Sequence, residues 1–440
     1  MRILHIGDLH FKSNRNNYEQ NLMINKMMQN LRSKPHIDMI FFTGDLVFSG
    51  SSPKEFEEAH FFLFKRLSDE LNVPFENIII CQGNHDINRN ETSKAILSYY
   101  DEKIEDNDRL NEDYLNPSKD LSNSLKPSEN FNEYAKNYFT ISPDERTDFY
   151  SIHRRNFDGN EIGIVTINSS WLSCGFRWDL NHLMYPVVAL KEAFSKIDKI
   201  ENKLLLIHHP LAYFQEFNAY ELEDLIHREF SLMFSGHLHK EQIATKYAGN
   251  NGIYANTTQA TLTFDKGGEI GFSIINFISK SDEINIERST YNQKENEFQD
   301  LNTVVVHVPC GIEKSNQNKL RRKIVSKLQV ELDNADELML DNSEESKVKF
   351  LDMFTHPVIS TKSDTENTAP ESSATLFSYE DMYRDDKNYL LFGKDKCGKT
   401  SLLKRIQIYY LKNYSLLGKT PFYLDYKELE AKNYPIDLKK

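Results

Sequence analysis

The chain has 440 residues, which is longer than one ordinary domain and predicts two or three. Hydrophobic residues make up 39% and aromatic residues 12%, so the chain can form sizeable cores and is not a disordered protein. The 66 acidic residues outnumber the 53 basic ones. The net charge of −13 argues against an extended basic surface for nucleic acid and leaves room only for a local basic groove.

No apolar run approaches the roughly 20 residues that a membrane-spanning helix needs. Residues Met1–Asp8 enter a strand pattern directly, without the parts of a signal peptide. The four cysteines are not spaced as CxxC, which excludes a zinc finger and a disulfide framework. We therefore expect a cytoplasmic protein without a membrane partner.

Residues 1–300 alternate short apolar strands with segments of helical periodicity, such as Tyr18–Leu31 and Pro53–Leu71. This alternation predicts an α/β fold. Three later strands follow one another without helices, so we expect the end of this domain to be antiparallel. The predicted strands are Arg2–Gly7, Met39–Thr43, Ile78–Gln82, Ile162–Ile167, Lys203–Ile207, Leu232–Phe234, Ile253–Ala255, Ile270–Phe277 and Glu283–Thr290.

Two stretches interrupt this rhythm. Residues 91–147 are polar but rich in Tyr and Phe, which predicts a partly helical, cap-like insertion whose aromatic residues form a small core under it. Residues 301–375 combine a helical segment, Lys314–Leu332, with a linker of Asp, Glu, Ser and Thr. A second α/β domain is predicted over 376–440.

Five predicted strands are followed at once by side chains that can bind metals. Since the carboxyl ends of strands are where ligands bind in open α/β sheets, we expect them to converge. Glycines precede several of them, where the chain must turn sharply, and in extended chain both members of a DxH or HxH pair face the same way. The five blocks are Asp8-Leu9-His10, Gly44-Asp45, Gly83-Asn84-His85-Asp86, His208-His209 and Gly236-His237-Leu238-His239.

Carboxylate, imidazole and amide ligands together suit Mn²⁺, Fe or Zn²⁺ rather than a thiolate site. Seven ligands are too many for one tetrahedral ion and fit two. Two metal ions that share a carboxylate are a recurring device for phosphate-ester hydrolysis, in which a bridging water becomes hydroxide. We expect two divalent ions, with manganese first and iron, zinc or magnesium as alternatives.

The five ordered blocks resemble the calcineurin-like metallophosphoesterase superfamily, whose fold is an αββα sandwich. The resemblance covers about residues 1–300. It implies a first metal held by Asp8, His10 and His239, and a second held by Asn84, His208 and His237. It also implies that Asp45 bridges the two and takes part in catalysis, and that His85 is an outer-sphere acid or a phosphate-contacting residue, oriented by Asp86. His208 is favoured over His209, which is expected to point away.

Within the superfamily, the segment Gly44–Gly50 looks most like members that hydrolyse cyclic nucleotides, whereas DNA nucleases share the same ligands. The insertion is where we expect substrate choice to be made. Arginines near the motif loops are candidates to hold phosphate oxygens. They are Arg89, Arg154, Arg155 and Arg177.

A second motif, Gly393 to Thr400, matches the P-loop pattern GxxxxGK[ST]. A short apolar strand, Tyr389–Phe392, precedes it, and a helix is predicted over Thr400–Leu411. Backbone N–H groups from Gly393 to Gly398 would cradle the phosphates of ATP, Lys399 would reach the β and γ oxygens, and Thr400 would hold Mg²⁺. Because 40 residues follow Thr400, we expect a truncated NTPase domain that binds ATP in the full-length protein.

The order of the two domains resembles bacterial STAND-type NTPases of the NACHT-like kind, many of which act in anti-phage defence. That resemblance implies a nuclease effector with nucleic acid as substrate and an oligomer formed through the NTPase. Two alternatives stay open: a phosphodiesterase for cyclic nucleotides or other small molecules, and a scaffold whose metal site has no catalytic role.

Overall fold

The structure is a computed structural model that describes residues 1–13, 18–139, 145–248, 251–263, 268–277 and 283–308, together with short stretches between 327 and 412. The longest of those stretches are 350–355, 359–361, 375–377 and 396–412. The chain divides into two compact units, Met1–Asn318 and Lys319–Lys440. The finer boundaries expected at 300 and 375 stay predictions.

The described strands and helices of the first unit begin and end as follows. The strands are β1 (Arg2–Ile6), β2 (Met39–Phe42), β3 (Ile78–Ile80), β4 (Glu145–Arg146), β5 (Tyr150–Phe157), β6 (Asn160–Ile167), β7 (Asn202–Leu206), β8 (Leu232–Ser235), β9 (Gln242–Ala248), β10 (Asn251–Thr257), β11 (Gly271–Phe277), β12 (Glu283–Asn292) and β13 (Glu297–His307). The helices are α1 (Tyr18–Arg32), α2 (Pro53–Ala59), α3 (Arg66–Leu71), α4 (Lys94–Lys103), α5 (Asn107–Leu115), α6 (Lys119–Ser124), α7 (Glu129–Tyr138), α8 (Phe176–Asp179), α9 (Val187–Ser195) and α10 (Glu216–Glu229), and a π-helical turn, His60–Lys65, joins α2 to α3.

The strands form two mixed sheets. The first has the order β13-β12-β11-β1-β2-β3, in which β1, β2 and β3 are parallel and the remaining pairs are antiparallel. The second has the order β4-β5-β6-β7-β8-β10-β9, with β6, β7, β8 and β10 parallel. The predicted α/β class and the antiparallel strands at its end are therefore confirmed.

Alternation along the strands explains the layers. In β1, Ile3 enters a core shared by the two sheets, whereas Leu4 and Ile6 pack with α1 on the outer face of the first sheet. In β7, Leu204 likewise faces the shared core and Leu205 packs with α9 and α10. Since neighbouring residues of a strand point to opposite faces, each sheet is covered on both sides and carries apolar runs.

The aromatic residues of the insertion pack beneath it, as expected, but they join two large cores rather than form one small core. In its described part, Tyr100 of α4 and Leu110 of α5 join the core outside the second sheet. Phe131 and Tyr134 of α7 join the core outside the first sheet. The aromatic residues of the insertion thus bury themselves against both halves of the unit.

The second unit is described only in part. It contains α11 (Phe350–Met353), β14 (Ile359–Thr361), β15 (Thr375–Phe377) and α12 (Lys399–Lys412), with β14 and β15 antiparallel. The helix predicted after the P-loop is present as α12, but the described residues of 389–392 are not in a strand. The predicted linker and most of Lys314–Leu332 lie outside the described residues. Across the part of the chain that is described, no helix has the length and apolar character to cross a membrane.

Candidate metal centre

The predicted ligands come from loops at the carboxyl ends of parallel strands. Asp8 follows β1, Asp45 follows β2 and Asn84 follows β3, whereas His208 follows β7 and His237 follows β8. The two sheets pack face to face, so these loops meet along one edge of the shared core. All five side chains are buried.

The first ligand set consists of Asp8, His10 and His239. The Nε2 atoms of His10 and His239 lie 3.0 Å apart, and Nε2 of His239 lies 3.5 Å from Oδ1 of Asp8. One donor atom from each residue lies within 4.8 Å of the others. The backbone N–H of His237 also donates to the Asp8 carboxylate at 3.2 Å, which ties the first loop to the last.

The second ligand set consists of Asn84, His208 and His237. Oδ1 of Asn84 lies 3.0 Å from Nε2 of His208 and 3.0 Å from Nδ1 of His237. The two imidazole nitrogens lie 3.2 Å apart. All three donor atoms therefore face a common point.

Asp45 lies between the two sets. Its Oδ2 atom is 3.4 Å from Nε2 of His208 and 3.8 Å from Nε2 of His10. Imidazole nitrogens that face one another and a buried carboxylate are suited to a cation placed among them. The donor chemistry thus fits two divalent ions that share Asp45, with Asp8, His10 and His239 around one and Asn84, His208 and His237 around the other.

The ligand loops have an unusual backbone. Asp8, His10, Asp45, His237 and His239 all have left-handed φ values between 49° and 72°. A non-glycine residue in this region is uncommon and strained, and such residues concentrate at functional sites. The DxH and HxH pairs therefore reach the site through tight turns and not through the extended chain that we expected.

Two glycines are required for close approach. Gly44 has φ of 94°, and a Cβ atom on it would lie 2.6 Å from Nδ1 of His208. A Cβ atom on Gly83 would lie 2.2 Å from the backbone nitrogen of Asp45. Of the two, only Gly44 has positive φ, so Gly83 serves packing rather than a turn.

Burial and mutual charge set the protonation of the site. Burial opposes ionisation of Asp45, but the charges of His208 and His85 hold the pKa of that carboxyl well below its usual value. Burial, with a smaller contribution from the charge of His85, lowers the pKa of His10 to about 4; burial and the charge of His208 lower that of His237 to about 3. Neutral imidazoles and ionised carboxylates are the forms that bind metals.

His208 differs from these two histidines. Burial opposes its protonation, but the Asp45 carboxylate beside it raises the pKa of His208 to about 9. The pKa of Asp8 is lowered despite burial, chiefly by its contact with His239. His208 thus supplies positive charge to the buried carboxylates, which is the role that a bound cation would take over.

His85 lies at the edge of the centre, partly exposed, with its ring centroid 4.5 Å from that of His10. Its backbone N–H donates to Oδ1 of Asp45 at 2.7 Å, and its Nδ1 atom lies 2.9 Å from the carbonyl oxygen of Phe48. We expected Asp86 to orient the His85 ring, but in the structure the carbonyl oxygen of Phe48 contacts the ring instead.

The Asp86 side chain binds the backbone of the ligand loops. Its buried carboxylate accepts hydrogen bonds from the backbone N–H groups of Gly83, Asp45 and Val47, at 2.9 to 3.0 Å. Burial and the charge of Asp45 raise the pKa of Asp86 to about 7. Asp86 thus joins the loop after β2 to the loop after β3 and positions Asp45 through its backbone.

Sequence reasoning gave no role to some residues that support the site. His5 is buried with its Nε2 atom 3.1 Å from Oγ1 of Thr43, and burial lowers its pKa to about 4. His209 is also buried, its Nδ1 atom lies 3.0 Å from Oγ of Ser169, and it can offer a donor atom beside His208. Only the three-dimensional contacts reveal these neighbours.

The four candidate arginines separate into different environments. Arg89 donates to the carbonyl oxygen of Asn84 at 3.1 Å, directly behind a predicted ligand. Arg154 and Arg155 donate to the carbonyl oxygens of Lys196 and Glu76. The side chain of Arg177 lies outside the described residues.

The P-loop residues are described in part. Gly393 lies outside the described residues, Gly398 has φ of 89°, and Lys399 and Thr400 begin α12. Nζ of Lys399 donates to the carbonyl oxygen of Lys394 at 2.8 Å.

Comparisons with known proteins complete the assignment. Residues 1–241 match the family described as calcineurin-like phosphoesterase. No curated protein matches the chain. Similar solved structures include Vps29 from Entamoeba histolytica complexed with zinc (11% identity, 69% of this chain, 99% of that chain, TM-score 0.31). Another is Chaetomium thermophilum Vps29 (12% identity, 70% of this chain, 96% of that chain, TM-score 0.29). A third is the calcineurin-like phosphoesterase YfkN from Bacillus subtilis (12% identity, 75% of this chain, 98% of that chain, TM-score 0.28). Because the family match spans more than half of its length, the chain belongs to the calcineurin-like phosphoesterases, whose members bind two divalent metals and hydrolyse phosphoesters.

Proposed function

We propose that the first unit hydrolyses phosphodiester bonds and that its substrate is nucleic acid. The observation that carries this proposal is the pair of ligand sets that share the carboxylate of Asp45. When bound, two divalent ions activate a water molecule and stabilise charge on the phosphoryl oxygens. The carboxylate of Asp45 lies between the two ligand sets. Asp86 holds the loop that carries Asp45 by accepting hydrogen bonds from its backbone N–H groups.

His85 is placed to move a proton. The carbonyl oxygen of Phe48 can only accept a hydrogen bond, so Nδ1 of His85 carries a proton. The atom that exchanges a proton is therefore Nε2. A protonated His85 would donate from Nε2 to the oxygen that leaves the phosphorus, which makes it the general acid.

Local charge and ring exposure support nucleic acid as the substrate. Arg89 is anchored on the carbonyl oxygen of Asn84, and Nζ of Lys12 lies 3.4 Å from the ring centroid of Phe48. Phe48 is 44% exposed and its ring lies 5.5 Å from that of His85. Cations for phosphate oxygens and an exposed ring for a base are the elements that bind single strands.

We also propose that the second unit binds ATP and regulates the first, as in a STAND-type defence protein that assembles through its NTPase. The P-loop sequence and the helix that begins at Lys399 support this proposal. Binding of a fluorescent ATP analogue to the wild type, and its loss in Lys399→Ala, would test it. Equal binding by both proteins would contradict a P-loop site.

The substrate assay compares linear double-stranded DNA, single-stranded DNA and cyclic nucleotides, each with the manganese-loaded protein. Asp45→Asn is the blank, because it removes charge from the carboxylate that both ligand sets share. Cleavage of DNA by the wild type alone is the expected result. Cleavage of cyclic nucleotides alone would favour the signal-degrading enzyme, and no cleavage by a metal-loaded protein would favour the scaffold.

A further inference from the structure

A second polar cleft lies near the carboxyl ends of β3 and β6. It has a cavity volume of about 30 Å³ and lies among β3, α7, the β4–β5 hairpin and the end of β6. Tyr150 pairs with Ile167, so the start of β5 lies at the same edge of the sheet as the ligand loops. Its polar lining includes Gln82, Asn132, Arg146, Asp148 and Thr166.

Arg146 is the cationic residue of this cleft. Among the described residues its side chain forms neither a hydrogen bond nor an ion pair, and burial lowers its pKa to about 10. Arg146 is partly exposed, so the five N–H donors of its guanidinium can reach a ligand in the cleft. Asp148 also lines the cleft, but its carboxylate accepts from Nδ2 of Asn132 at 3.1 Å.

Gln82 adds a second unsatisfied group. Its side chain is 3% exposed, and both its Oε1 and Nε2 atoms are buried without a hydrogen-bond partner. Buried polar groups are nearly always paired, so the unpaired amide of Gln82 indicates a polar ligand in the cleft that it lines. Gln82 lies two residues before Asn84, which places the cleft beside the candidate metal centre.

We propose that this cleft binds a phosphate group, with Arg146 as its cationic partner and Gln82 as an additional donor. A guanidinium fork matches the geometry of phosphate oxygens and binds them with two parallel hydrogen bonds. The remaining Oε1 atom of Gln82 and the Asp148 carboxylate can accept from a hydroxyl or N–H group attached to that phosphate. The phosphate is either free or part of a nucleic-acid strand.

The test is calorimetric titration of the chelator-treated full chain with inorganic phosphate at constant ionic strength. Without metal ions no hydrolysis takes place, and a loss of phosphate affinity in a variant changed only in the cleft reports on the cleft rather than on the candidate metal centre. The wild type should bind, and Arg146→Met should lose at least about tenfold in affinity. Arg154→Met, on the same hairpin but bonded to Lys196, is the matched control and should bind like the wild type.

Thermal unfolding separates a ligand-binding role from a structural one. Without phosphate, Arg146→Met should melt at about the wild-type temperature, because its partly exposed side chain has no hydrogen-bond or ion-pair partner among the described residues. Gln82→Met should also weaken phosphate binding, which keeps the test decisive if Arg146→Met does not fold. Equal phosphate affinity in the wild type and both variants, or none in the wild type, would overturn the proposal.

Hydrolysis kinetics identify the source of the phosphate. A raised KM of Arg146→Met for an oligonucleotide, but not for the single-phosphate substrate bis(p-nitrophenyl) phosphate, would assign the cleft to a flanking phosphate of the strand. An unchanged KM for both, with phosphate binding intact in the wild type, would assign it to a separate phosphorylated molecule. Both results agree with a phosphate site.

Discussion

Asp45 is the residue on which both ligand sets depend. It is buried and in a left-handed conformation, and its Oδ2 atom faces a histidine from each set. Its other oxygen, Oδ1, accepts from the backbone N–H of His85. One side chain thus connects the two ligand sets to the candidate proton donor.

Replacing His85 should slow hydrolysis without loss of metal. We expect His85→Ala to lower kcat by about 10²- to 10⁴-fold, the usual contribution of a general acid. Metal content, measured by elemental analysis, should stay at the wild-type level because the ring is not in either ligand set. His182→Ala is the control, since His182 pairs with Asp101 instead. Near wild-type turnover in purified His85→Ala would contradict the acid role.

The two adjacent histidines should differ in their effect on metal binding. Nε2 of His208 lies 3.0 Å from the Asn84 oxygen, whereas Nδ1 of His209 lies 3.0 Å from the Ser169 hydroxyl. We therefore expect His208→Ala to lower metal occupancy more than His209→Ala. Elemental analysis of both variants checks this, and equal occupancy would contradict the assignment.

Much of the candidate site could be predicted from order and spacing. The blocks from Asp8 to His239 each follow an apolar strand, and the structure brings the seven predicted side chains together. The local conformation could not be predicted, because the strained turns at Asp8 and His237 depend on loops distant in sequence. The same holds for Asp86, whose partners lie on two different loops.

At the scale of elements, strands with a buried apolar run were predictable and more polar strands were not. All nine predicted strands have counterparts in the first unit. β5 and β13 could not be recognised from the sequence, because their many polar residues hide the apolar alternation. Their positions follow from pairing with β6 and β12, which a single sequence does not reveal.

The π-helical turn between α2 and α3 carries a pH-sensitive element. His60 is 4% exposed, stacks on Phe75 and lies 3.2 Å from the hydroxyl of Tyr134. Burial lowers its pKa to about 4, against about 6.5 in an unfolded chain. The unfolded chain therefore binds more protons between these values, and stability falls as the pH drops from 6.5 toward 4.

Urea unfolding of the metal-free protein at pH 7.5 and pH 5 tests this element. We expect the free energy of unfolding of the wild type to fall by about 2 kcal/mol more than that of His60→Phe over this interval. His36→Phe, at an exposed position, should keep the wild-type pH dependence. An identical pH dependence in His60→Phe and the wild type would refute the contribution of His60.

At the scale of the whole molecule, metal ions should stabilise the first unit. Asp8 and Asp45 are buried carboxylates that face histidines and backbone N–H groups among the described residues. Chelation should therefore lower the melting temperature, and manganese at 100-fold above its Kd should restore about 2.7 kcal/mol. Scanning calorimetry with and without chelator measures this, with Asp45→Asn as the insensitive control. An unchanged melting temperature would show that the ions are not bound.

The position of β1 also has a consequence for protein synthesis. β1 pairs with β2 on one side and with β11 on the other, with Arg2 opposite Asn276. On the ribosome, β11 emerges about 270 residues after β1, which at 5–20 residues per second is a delay on the order of 10 to 50 s. Through that interval one edge of β1 has no partner, so the nascent chain is expected to need a chaperone until β11 arrives.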